Sequence, residues 1–161
     1  MWLQLLVSNN TAVRTAERTA VVPGQRVSVR VPATSANLGP GFDSLGLAVS
    51  LYDTVSVETT DDGVFHAEIS GEGAANLPTD ESHLIIRTIQ DTLGRAGYRA
   101  EGLRLQAENV IPHGRGLGSS AAAIVSAVLL ANSLLPVAAR LSAQEVLQLC
   151  SAQEGHPDNV A

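Results

Sequence analysis

The sequence predicts an α+β fold in which a sheet is packed against helices. Three observations lead there. Apolar residues make up 45% of the 161 positions and charged residues 16%, the balance of a globular chain able to bury a core. Alternating or β-branched runs recur at 27–31, 45–58, 64–69 and 103–110. Helical segments interrupt and follow them, giving the order β-β-β-α-β-α-α.

Residues 1–26 read as a leader. Asn9, Asn10, Thr11, Thr15, Thr19, Pro23 and Gly24 break any periodic pattern, so a poorly ordered arm is expected, with at most a frayed helix over 11–20. From Val27 to Val31 valines alternate with Ser28 and Arg30, a strand that Pro32 is expected to end. Leu45 to Glu58 is β-branched and apolar, and Asp61-Asp62-Gly63 predicts a hairpin turn into a strand over Val64–Ile69. Ser82 is the expected N-cap of a helix to about Arg95, with Leu84, Ile85, Thr88, Ile89, Thr92 and Leu93 on one face and Gly94 or Gly97 closing it. Leu103, Leu105 and Ala107 alternate with Arg104 and Gln106 in a further strand to about Val110. A helix follows from Ser119 to about Leu135, then a third, opened by the capping box Ser142–Glu145 and running to about Gln153.

Charge and composition exclude several chemistries. All ten basic residues are Arg; the chain holds no Lys. That removes the P-loop NTPase, the pyridoxal-phosphate or Schiff-base enzyme and the protein kinase, each of which needs a lysine. Phosphate would have to be held by backbone N–H groups, a helix N-terminus, a metal ion or arginine. A net charge of −6 and pI near 5.1 argue against nucleic acid as the main partner. The single Cys150 allows no internal disulfide and no cysteine-cluster zinc site, which fits a cytoplasmic protein. The start of the chain lacks the basic region of a signal peptide. The uncharged stretch between Arg115 and Arg140 is long enough to span a bilayer, but its glycines, serines, Asn132 and Pro136 favour a buried helix and no membrane partner.

Three segments carry chemistry. In Pro112-His113-Gly114-Arg115-Gly116-Leu117-Gly118-Ser119-Ser120-Ala121-Ala122 a strand leads through three alternating glycines into a small-residue helix. Glycines allow sharp turns and close backbone approach, and the helix start offers unpaired N–H groups and positive dipole, so the segment reads as an anion site. Neither the dinucleotide spacing nor the nucleophile elbow fits it. In Pro32–Gly46, Asn37 and Asp43 have the chemistry to bind an amine and a hydroxyl of a small polar substrate, or simply to serve turns. In Glu154-Gly155-His156-Pro157-Asp158-Asn159, a carboxylate is placed to hold Mg²⁺, with a plain Gly155 C-cap as the other reading. His66, His83 and His113 show no partner and are expected on the surface or in strands.

Taken in order, the three segments resemble the homoserine kinases, within the GHMP kinase superfamily. Pro32 to Leu47 resembles the N-terminal signature, Ile111 to Ala122 the ATP loop, and Glu154 to Ala161 the segment Glu-Gly-His-Pro-Asp-Asn-Val-Ala. The resemblance covers about 27–161 and implies a GHMP-kinase N-terminal domain of the ribosomal protein S5 domain 2-like fold. It implies ATP held by Pro112 to Ala122, Mg²⁺ by Ser120 and Glu154, and L-homoserine by Asn37, Asp43, His156, Asp158 and Asn159, with Asp43 on the substrate ammonium. The implied reaction is in-line transfer of the γ-phosphoryl to the homoserine hydroxyl, a step of threonine biosynthesis. Another GHMP kinase, or a non-catalytic nucleotide-binding fragment, are the alternatives, and a homodimer is left open. Family members are about twice this length, so the resemblance implies that a C-terminal domain is missing and that the chain alone is inactive or weakly active.

Overall fold

The computed structural model describes residues 17–39, 45–155 and 157–160. In chain order the elements are β1 (Thr19–Ala20), β2 (Arg26–Ala36), β3 (Gly46–Thr60), β4 (Phe65–Gly71), α1 (Leu84–Arg95), β5 (Tyr98–Arg99), β6 (Gly102–Asn109), α2 (Ser119–Leu134), a 3₁₀ turn (Val137–Ala139) and α3 (Ala143–Glu154).

The main sheet has the order β2-β3-β6-β4. β3 pairs antiparallel with β2 and with β6, whereas β4 pairs parallel with β6. Period-two alternation sends Val55, Val57, Ala67, Leu103 and Leu105 to one face. There they meet Ile85, Ile86, Ile89 and Leu93 of α1 and Ala127, Leu130, Ala131 and Leu134 of α2. Each fully buried Leu or Ile here contributes roughly 1.5–3 kcal/mol. α2 is buried on almost every side, because α3 covers it through Leu149 and Cys150 against Ile124 and Val128. That accounts for its uncharged, largely apolar composition without a bilayer; among the described residues no helix is long and apolar enough to cross a membrane.

Several local expectations give way to tertiary context. Pro32 does not end β2, which runs on to Ala36 with a register shift between Pro32 and Ala33. β2 is an edge strand, where a missing N–H and a bulge are both tolerated. Asp61-Asp62-Gly63 does not close a hairpin. The strands on either side of it are held apart by β6, whose Gly102 enters the gap: a Cβ there would meet Thr60 Oγ1, Asp62 Oδ1 and Val64 O. Asp62 instead stitches the turn, accepting from Thr60 Oγ1 (2.7 Å), Val64 N (3.0 Å) and Arg104 (2.8 Å), and these bonds hold its carboxyl down at about 2. Part of the presumed arm is also ordered. Thr19–Ala20 pairs parallel with Tyr98–Arg99, Val21 is buried, and Thr59 Oγ1 holds the Val22 carbonyl at 2.8 Å. The rest of a helix expected over 11–20 lies outside the described residues.

Helix α1 starts one residue later than expected. His83, not Ser82, is the N-cap, its Nδ1 accepting the Ile85 amide at 3.2 Å, while Ser82 turns to Asp80. Leu84 is consequently on the rim and Ile86 takes a core position. The imidazole is buried, 4% exposed, rather than on the surface, and burial lowers its pKa from the ordinary 6.5. The unfolded chain therefore binds this proton at higher pH than the folded chain does. The corresponding stability is complete above pH 6.5 and is lost as pH falls from there through the folded value. His83→Asn keeps a good capping oxygen and removes the titration. Urea unfolding of this variant between pH 7.5 and 5 is expected to show a flatter fall in stability than the wild type, and parallel curves would refute the assignment.

Candidate active site

A buried carboxyl group sets where the glycine loop begins. Asp53 occupies an inward register position on β3 and is 6% exposed. Its Oδ1 accepts both the Val110 amide (2.6 Å) and the Ile111 amide (2.9 Å), at the point where β6 has ended. Leaving two such amides unmet would cost roughly 1–3 kcal/mol each. Sequence reasoning passed over this residue. Its signal is an acid on the buried side of the β-branched run Leu51-Tyr52-Asp53-Thr54-Val55.

The loop beyond it is a backbone device. Gly114, Gly116 and Gly118 have φ of 65°, 72° and 66°, and Arg115 and Leu117 between them do not share that conformation. Alternation of left-handed with other residues is the backbone pattern from which anion-binding concavities of N–H groups are built. Gly118 is the N-cap of α2, and no side chain caps the helix. The amides of Ser119, Ser120 and Ala121 thus have no intrahelical partner and carry the positive end of the dipole. Ala122 is different: its amide donates to Gly118 O at 2.8 Å and its side chain is buried, so it supports the loop rather than facing a ligand. His113 and Arg115 are exposed on the rim.

The predicted metal pair meets in space. Ser120 Oγ donates to Glu154 Oε2 at 2.9 Å. Gly155, at φ 93°, is the left-handed C-cap that ends α3 and leaves Glu154 at its tip, so the cap reading holds and the carboxylate stands beside Ser120. One carboxylate and one hydroxyl suit Mg²⁺, which keeps several waters and takes phosphate oxygens. Among the described residues no group of three or more His, Cys, Asp or Glu forms a dedicated metal cage.

The predicted acceptor residues also converge, as far as they are described. Asn37 Nδ2 donates to Asp158 Oδ2 at 2.9 Å. Asn37 is the one non-glycine described residue with positive φ, 58°, a strained backbone that points to a fixed role. The two residues line a cleft of about 330 Å³ with Thr34, Ser35 and the start of β3. Asn159 meets Thr34, whose Oγ1 lies 3.0 Å from Asn159 Oδ1 and 3.1 Å from its carbonyl. Asp43 and His156 lie outside the described residues. A second cavity, about 200 Å³, opens beside Ser119 and Ser120, walled by Leu77, Leu84, Ile85, His83 and Asn109. This one the sequence did not indicate, because its wall comes from segments far apart in the chain, from Asp53 to Ala123.

A mixed sheet covered by helices, with a glycine loop feeding an uncapped helix N-terminus, defines an anion-binding α+β domain. Residues 83–161 match the family described as GHMP kinases N terminal domain. A homoserine kinase of Clavibacter michiganensis is 51% identical over 144 residues, which cover 89% of this chain and 46% of that relative. One of Corynebacterium diphtheriae is 55% identical over 138 residues, covering 86% of this chain and 44% of the relative. The crystal structure of homoserine kinase from Cytophaga hutchinsonii superposes with a TM-score of 0.71 at 30% identity, covering 84% of this chain and 44% of that one. The chain carries a GHMP kinase N-terminal domain. It spans about half the length of the curated relatives it matches.

The two ends of the loop make different demands. A Cβ on Gly116 would meet open space, whereas one on Gly118 would strike Thr34 Oγ1 and come within 3.2 Å of its carbonyl. Both substitutions to Ala force a left-handed residue, a strain of about 1–2 kcal/mol. Gly118→Ala is expected to destabilise the chain well beyond Gly116→Ala in denaturant unfolding; equal losses would show that the loop relaxes freely around Thr34.

Proposed function

We propose that the protein transfers the γ-phosphoryl group of ATP to the side-chain hydroxyl of L-homoserine, giving O-phospho-L-homoserine for threonine biosynthesis. The observation that carries this reading is the convergence of the Ser120–Glu154 and Asn37–Asp158 pairs on the two sides of the Gly118–Thr34 contact. A phosphate donor and a small polar acceptor would thereby share one site. The names of the relatives at about half identity support the choice of homoserine.

In this mechanism the amides of Gly116 to Ser120 cradle the triphosphate, and the nucleoside end turns into the cavity walled by Leu77, Leu84 and Ile85. Ser120 and Glu154 would hold Mg²⁺, which supplies charge neutralisation on the transferring group. Asp158, Asn159 and Asn37, with Asp43 on the ammonium and His156 beside them, orient the acceptor hydroxyl. Catalysis of this kind is mostly positioning and electrostatics, so no side-chain base is assigned. Among the described residues that line the acceptor cleft none is basic. A cation for the substrate carboxylate is assigned in this scheme to a C-terminal domain, the part of the relatives' length that this chain does not span. Thr19 to Val22, tied to the sheet and core by β1 and the buried Val21, belong to the catalytic domain in this scheme, and the location is cytoplasmic.

The test is ADP release by the full-length gene product with homoserine, mevalonate or galactose as acceptor. Turnover with homoserine alone is expected, and the 161-residue chain by itself should bind ATP with little or no turnover. Preference for mevalonate or galactose would move the protein to another GHMP kinase. ATP binding without turnover in the full-length product would leave a nucleotide-binding role only. Glu154→Gln is expected to lower kcat by on the order of 10²–10³, the usual loss on removing one electrostatic stabiliser. Raising Mg²⁺ should partly restore it, and a variant insensitive to Mg²⁺ would refute the metal role.

A further inference from the structure

Thr34 touches both halves of the site. Its amide donates to Leu117 O in the glycine loop at 3.1 Å. Its hydroxyl lies between the two oxygens of Asn159, 3.1 Å from the carbonyl and 3.0 Å from Oδ1. With a single proton to share, that hydroxyl orients the backbone and the side chain of Asn159 together. The same oxygen fills the space that a Cβ on Gly118 would need, and Asn159 Oδ1 stands 3.3 Å from that point. Three segments far apart in sequence therefore meet at one hydroxyl: the end of β2, the last glycine before α2, and the turn after α3.

The contact leaves little slack. Gly118 is already in the left-handed region and is the N-cap of α2, so it cannot shift without moving the first helical turn. Pro157 to Val160 is a short turn closed by Val160 N to Pro157 O at 3.1 Å, so a displaced Asn159 carries Asp158 with it. Asp158 in turn bonds Asn37 across the acceptor cleft. A change at the loop has a continuous route of hydrogen bonds and packed backbone to the cleft.

We propose that Thr34 is a positioning residue that couples the phosphate loop to the acceptor segment, so that filling the loop sets the geometry of Asp158 and Asn159. This rests on the kinase reading only for what occupies the two sides; the mechanical link is a property of the chain itself. Three protected amides report on it: Thr34 (to Leu117 O), Ala122 (to Gly118 O) and Val160 (to Pro157 O).

The experiment is amide hydrogen exchange by NMR on the 161-residue chain. Asn159→Ala is expected to speed exchange not only at Val160 but also at Thr34 and Ala122, by roughly three- to tenfold, the loss of about one net hydrogen bond. Thr34→Val should do the same at Ala122 and Val160, and Thr34→Ser should restore wild-type rates. Acceleration confined to Val160 in Asn159→Ala overturns the proposal, and that variant decides the matter even if Thr34→Val does not fold. Adding Mg-ATP to the wild type should slow exchange at Val160, and in Thr34→Val it should not. ATP binding that protects the loop but leaves Val160 unchanged in the wild type also overturns it. Failure of ATP to bind at all would count against the kinase reading, while the ligand-free comparison still tests the coupling.

Discussion

The domain depends on one carboxyl oxygen that takes two consecutive amides. Binding an anion through backbone N–H groups works only if the backbone cannot turn away, since peptide groups have no long side chain to correct their aim. Asp53 provides that anchor from inside the sheet, gripping Val110 and Ile111 just after β6 ends. Everything downstream inherits the position. The loop leaves from a fixed point, α2 starts from the loop, and α3 is placed by packing on α2. In a chain without lysine the direction of the loop's main chain thus rests on a buried polar bond.

A division of labour follows across the site. The loop side is built from what glycine permits: three left-handed residues and a helix start that no side chain caps. The cleft side is built from side chains, with Asn37 and Asp158 bonded to each other. The first kind of site tolerates variation in side chains and none in conformation; the second reverses those tolerances. Placing a serine and a glutamate where the two sides meet puts the site's one described carboxylate–hydroxyl pair beside the loop rather than deep in the acceptor cleft.

Much of this was legible in the sequence where the cause is local. Alternating valines gave β2, the Ser142–Glu145 box gave the start of α3, and the spacing of the glycines gave the loop. Ser120 and Glu154 were paired through a family resemblance, and the 2.9 Å contact agrees. What escaped was set by partners distant in sequence. The bulge at Pro32 is acceptable because β2 lies at an edge, which no local pattern reveals. His83 outcompetes Ser82 as cap because the imidazole is also buried against the core. β1 and β5 are two residues each, too short for a periodic signal. Thr34 and Asp53 look like ordinary strand residues until the Leu117 and Asn159 oxygens that Thr34 meets, and the two amides that Asp53 accepts, arrive from elsewhere in the chain.

The placing of β6 between β3 and β4 bears on how the protein comes to its fold. β2 and β3 are neighbours in sequence and can zip together early, as local antiparallel strands do. β4 has no such early partner, because the strand it needs is synthesised only after α1. Until then the chain holds an open slot with two bare edges, and closing it demands one strand that satisfies both at once. Contacts of that reach are slow to form and leave strand edges exposed meanwhile. Closure of the slot is also what carries Ile111 to Asp53. The last event in building the sheet is therefore the one that first fixes where the glycine loop begins, so the loop has no settled shape until its scaffold is finished.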